Sequence, residues 1–81
     1  MSIKVSNELT IGKIISVRGS IVDVWFDRDL PSIYSVLNTG SDSSIIIEVL
    51  SQLDSNSVRG VALMPTQFLA RGMKVQLKES N

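Results

Sequence analysis

Three carboxylates lie close together in one stretch of the chain, Asp23, Asp27 and Asp29. Paired acids can divide general-acid and general-base work between them, and a run of acids can ligate calcium. Here Arg28 separates the last two within a polar, Pro-terminated stretch, Asp27 to Ser32. That arrangement reads as a solvated loop. A helix-loop-helix calcium site also needs alternating oxygen ligands, a mid-loop Gly and a distal bidentate Glu, and this spacing is absent.

The Gly-Lys pair at Gly12-Lys13 raises a phosphate-cradling loop, which requires Gly, four residues, Gly-Lys and then a hydroxyl residue. Asn7 stands where the first Gly belongs and Ile14 where the hydroxyl belongs, so Gly12 reads as a structural glycine at a turn. The chain has no His and no Cys. Imidazole-based nucleophile systems and thiolate or imidazole metal sites are therefore excluded by composition. No catalytic, cofactor-binding or metal-ligating residue is assigned, and the chain is not expected to be an enzyme by itself.

Eighty-one residues suffice for one small domain with marginal stability, and without disulfides or metals its support must come from neighbours. Eight basic residues balance eight acidic ones. That neutrality lacks the excess positive field of a phosphate-backbone binder, so nucleic acid is not expected as a partner. No apolar run reaches the roughly 18 residues needed to span a bilayer, and Met-Ser-Ile-Lys opens no signal sequence. Direct membrane insertion is not expected, and the lack of Cys leans towards the cytoplasm.

From Thr10 onward, β-branched residues alternate with turn residues at short intervals, which is a strand rhythm. Strands are expected at 12–17, 21–26, 33–37, 45–50, 58–63 and 73–77, with 65–72 as a loop or single helical turn. Turns are expected at Gly12, Gly19, Gly40 and Gly72. Period-two alternation puts Val22, Val24, Phe26, Ile45, Ile47 and Val49 in the core and turns Trp25, Ile46 and Leu50 outward. Six short strands without a sustained helical period predict an all-β fold, a small closed six-stranded barrel, because closure removes exposed edges. Residues 1–9 read as an N-terminal extension, 10–77 as the barrel, and 78–81 as a cut end.

The run Gly12 to Phe26, with Gly-Lys, an apolar pair, Gly19 and Val22-Asp23-Val24-Trp25-Phe26, resembles the opening of the F-type ATP synthase β subunit. Ile45 to Leu53, then Val58-Arg59-Gly60-Val61-Ala62-Leu63 and Leu69 to Val75, match in the same order. The resemblance implies a barrel that alternates with α-subunit barrels in a collar holding together a hexameric ring of α and β subunits. It implies a proton- or sodium-coupled synthase whose head is cytoplasmic and peripheral to the inner membrane. ATP or ADP and Mg would be handled in a nucleotide-binding domain absent from this chain, so no cofactor is expected here. Trp25 and Leu50 stand where the family is commonly polar, Phe68 where Gly is common, and Arg18 where an apolar residue is common. Trp25, Ile46 and Leu50 are accordingly candidates for a subunit interface. The alternatives are the equivalent barrel of an α subunit or export ATPase, and a free-standing oligonucleotide- or ligand-binding barrel. The latter would use the aromatics Trp25, Phe26, Tyr34 and Phe68, around which no basic cluster is evident in sequence.

Overall fold

The computed structural model describes residues 10–78. The readings of 1–9 as an extension and of the last residues as a cut end lie outside them, except for Lys78. Six strands form, β1 (Ile11–Arg18), β2 (Ile21–Phe26), β3 (Val36–Thr39), β4 (Ile45–Asp54), β5 (Ser57–Ala62) and β6 (Lys74–Leu77). They close into an antiparallel barrel in the order β1-β2-β5-β4-β3-β6. The all-β, six-stranded closed architecture is as the sequence predicts.

Alternation explains which side chains fill it. Ile14, Val22, Val24, Phe26, Leu37, Ile47, Val49, Val58, Ala62 and Val75 make the buried core. Ile45 does not join them. It lies at the turn end of the β3–β4 hairpin and is only half-buried, its side chain against Gly40. Gly40 takes φ +95° in that turn, a conformation that an L side chain adopts only with strain.

Gly12 is not a turn residue. It lies inside β1, opposite Phe26, and its role is close approach: a Cβ there would fall 2.6 Å from the Trp25 carbonyl oxygen and 2.7 Å from the Phe26 ring. Gly19 and Gly72 do occupy turns, at φ +59° and +89°. The third strand also differs, running 36–39 in place of 33–37. Tyr34 takes φ +75° and Ser35 bonds back to Ser32, so a turn occupies the start of the expected strand. Asn38 and Thr39 instead pair with Ile46 and Ile45. Residues 65–72 form successive turns, with Leu69 N–H donating to Thr66 and Met73 N–H to Ala70.

Closure depends on the short strand β6, which pairs with β1 at three positions and with β3 at three. Flanking bonds lengthen the seam: Gly72 N–H donates to the Ile14 carbonyl at 2.8 Å, Leu77 N–H to Thr10 at 3.0 Å. The buried Thr39 hydroxyl donates to the Lys74 carbonyl at 2.7 Å, tying β3 to β6 through a side chain.

Register slips by one residue at Ile15 in β1 and at Leu50 and Leu53 in β4. An extra residue in one strand of a pair breaks the alternation and bends the strand. All three inserted residues are large, apolar and exposed.

Candidate docking surface

The barrel interior is filled, so the chemistry available to a partner lies on the outer walls. On the β2–β5 wall, Asp23 and Arg59 are direct cross-strand partners. Arg59 Nε donates to Asp23 Oδ1 at 2.9 Å and Nη2 to Oδ2 at 3.0 Å, a two-pronged pair that covers the carboxylate until only 6% of Asp23 is exposed. Geometry of this kind makes charge-assisted bonds strong. Asp23 therefore staples β2 to β5 across 36 positions of sequence, with both carboxylate oxygens taken up by Arg59. Asp23→Asn should lower the urea midpoint of the barrel by more than Arg28→Gln, which removes a loop charge. Equal midpoints, measured by circular dichroism, would remove the pair from the account.

Asp27 and Asp29 remain apart from it on the exposed β2–β3 loop, so the three acids form no shared site. Among the described residues no group of three His, Cys, Asp or Glu side chains could hold a metal ion. Two other carboxylates are occupied locally. A bond from the Asn56 amide, then one from the Ser57 hydroxyl, holds the Asp54 carboxyl below its ordinary range. Ser44 does the same for Asp42. Both acids cap turns.

The three outward apolar candidates do not form one stripe. Trp25, 39% exposed, pairs through β5 with the level of Asp54 on β4. Ile46 is half-buried at the other end of β4, where its carbonyl accepts from Leu63 N–H at 2.9 Å. Leu50, 42% exposed, lies between those levels, on the side of β4 where Tyr34 N–H reaches the Val49 carbonyl. The Asp23–Arg59 pair interrupts the surface from Trp25 towards the Ile46 end.

Trp25 has different neighbours from those expected. It shares an open groove of about 410 Å³ with Lys13, Ile14, Ile15, Arg71 and Gly72. Two cations thus flank the indole, and Lys74 lies opposite Lys13 across the β1–β6 pair. The sequence hid this cluster because its members are up to 61 positions apart and meet only where β6 closes the sheet. Phe68 stands elsewhere, in a second groove with Gly40, Asp42 and Ile45.

A family model for the ATP synthase alpha/beta family, beta-barrel domain, matches residues 14–77. The chain belongs to that family. Within it, this barrel is 58% identical over 71 residues to ATP synthase subunit beta 1 of Marinomonas sp. (strain MWYL1), covering 82% of the present chain. It is 52% identical over 71 residues to ATP synthase subunit beta 2 of Albidiferax ferrireducens, covering 88%. To subunit beta 1 of Chlorobaculum tepidum it is 54% identical over 65 residues, covering 80%. The match spans 14% of the length of each of these three relatives. The beta-subunit barrel inferred from Val22-Asp23-Val24-Trp25-Phe26 is therefore the one found. The Asp23–Arg59 staple lies inside the matched residues, and so does the groove around Trp25 apart from Lys13. Among the described residues no helix is long and apolar enough to cross a membrane.

Proposed function

We propose that this barrel is the collar element of an ATP synthase β subunit, gripping α-subunit barrels on either side and so stabilising a hexameric α/β ring. The observation that carries the reading is the division of labour in the barrel. Its interior is packed solid with ten side chains, while exposed Trp25, Ile15, Leu50 and Leu53 stand on its walls. A filled barrel offers no lumen for a small ligand, and Trp25 and Ile15 share one groove on the outer wall, exposed apolar surface of the kind that marks contact with protein. Support from neighbours is also what a domain of this size requires.

The barrel itself performs no reaction in this reading. ATP or ADP with Mg, and the coupling to proton or sodium flow, belong to parts of the synthase that this chain does not span. The head would be cytoplasmic and peripheral to the membrane. Binding separates this role from an oligonucleotide-reading barrel. The 81-residue chain should associate with an α subunit in sedimentation and leave the anisotropy of a labelled single-stranded DNA unchanged at micromolar concentration. Salt-dependent DNA binding without α association would reverse the conclusion.

A further inference from the structure

Overall neutrality conceals a strong separation of charge. Strand β1, with the segment from Arg71 through β6 to Lys78, carries five cations, Lys13, Arg18, Arg71, Lys74 and Lys78, and no acid. The β3–β4 hairpin, 36–54, carries three acids, Asp42, Glu48 and Asp54, and no cation. In the closed strand order, β1 and β4 are three strands apart in either direction. Strands β1 and β4 therefore stand on opposite walls, while β6 adjoins the uncharged β3 and Asp42 lies in the β3–β4 turn beside Met73.

One detail makes the basic wall more than a solvated face. Lys13 and Lys74 are direct cross-strand partners, and both are exposed on the outer side. Like charges in that position oppose sheet pairing. The only salt bridge among the described residues is Asp23 with Arg59, so neither lysine is neutralised by a described carboxylate. Beside them lies Trp25, again a direct partner of Lys13, with Ile15 and Arg71 completing the groove.

Resting on the collar reading above, we propose that this wall docks a carboxylate-bearing face of the adjoining subunit, with Trp25 as the apolar anchor and Lys13, Lys74 and Arg71 as its charged rim. Each barrel then has a polarity around the ring, presenting its basic β1–β6 wall to one neighbour and its acidic β4 wall to the other. Front-to-back contacts of this kind are those that close rings. Charge complementarity sets which wall meets which and makes assembly salt-sensitive. A nucleic acid fits less well, because one indole is a poor stacking platform and the opposite wall is acidic.

Lys13→Glu separates docking from folding. It places Glu opposite Lys74, turning a repulsive cross-strand pair into an attractive one. In the full-length β subunit assembled with its α partner, the substitution should weaken association on the order of tenfold at low salt. The barrel's urea midpoint should stay the same or rise. Lys13→Arg should retain association, and Arg28→Glu, a loop charge away from the wall, should change it little. Unchanged association of Lys13→Glu, in a subunit whose barrel deletion abolishes the ring, would overturn the wall and leave the collar reading intact. A ring that forms without the barrel would overturn both. Loss of single-stranded DNA binding in Lys13→Glu, with association unaffected, would assign the wall to nucleic acid.

Discussion

Phe26→Ala should remove about 3–5 kcal/mol of folding stability, the usual cost of emptying an aromatic site in a core. Domains of this size hold roughly 0.05–0.15 kcal/mol per residue, about 4–12 kcal/mol in all, so the substitution takes between about a quarter of the stability and the whole of it. The cost should fall high in its range for a local reason. Phe26 is fully buried and its ring lies directly over Gly12, which has no side chain to move into the space. Val22, Val24 and Val58 are stiff β-branched residues held by strand pairing on both sides, so they relax little. Urea titration followed by circular dichroism measures the effect. A midpoint within experimental error of the parent would mean that the barrel is not packed around Phe26.

Gly60→Val should be as damaging by the opposite route. Gly60 lies in β5 between Val22 of β2 and Val49 of β4, at the middle of the barrel's most extensively paired region. A Cβ at Gly60 would fall 2.6 Å from Ile47 Cγ2 and 2.7 Å from the Glu48 carbonyl oxygen. The first neighbour is the end of a side chain and can rotate. The second is backbone fixed in the β4–β5 ladder, and it can move only if the strands part. Overpacking of this severity costs about 3 kcal/mol or more, at least a quarter of the stability a domain of this size holds. Gly19→Ala makes the useful contrast. Nothing lies within 4 Å of its added carbon, and only the positive φ resists, at about 1 kcal/mol. A Gly60→Val protein as stable as Gly19→Ala would show that β4 and β5 are not in the described register.

The alternation of Val22, Val24 and Phe26 was enough to read the core face of β2, because both neighbouring strands bury it in the same sense. The bulged strands were less transparent. Ile15 and Leu53 each occupy a one-residue insertion that a strict period of two does not register, and Ile45 loses burial because it sits beside the β3–β4 turn at the end of the barrel wall. The third strand was displaced by the left-handed Tyr34, a conformation that no residue-type rule assigns to a tyrosine. Gly12 looked like punctuation, since a glycine needed for close approach and one needed for a turn are the same letter.

The proposed docking surface was legible only in part. Trp25 was recognisable as outward-facing from its phase relative to Phe26. Its cations were not, because Lys13, Arg71 and Lys74 come together through the β1–β6 closure, the longest-range pairing in the chain. The Asp23–Arg59 staple was hidden likewise, its two halves lying in different motifs of the family resemblance and joined only by register.

The central proposal is that adjoining barrels cover this barrel's outer walls in an assembled synthase. An electron cryomicroscopy map of the complete complex reads this directly. The account predicts that the wall bearing Trp25 and Lys13 and the opposite β4 wall are both covered by adjoining barrels, with acidic side chains within reach of Lys13 and Lys74. Barrels standing clear of one another in solvent, or a nucleotide seated in the Trp25 groove, would contradict it.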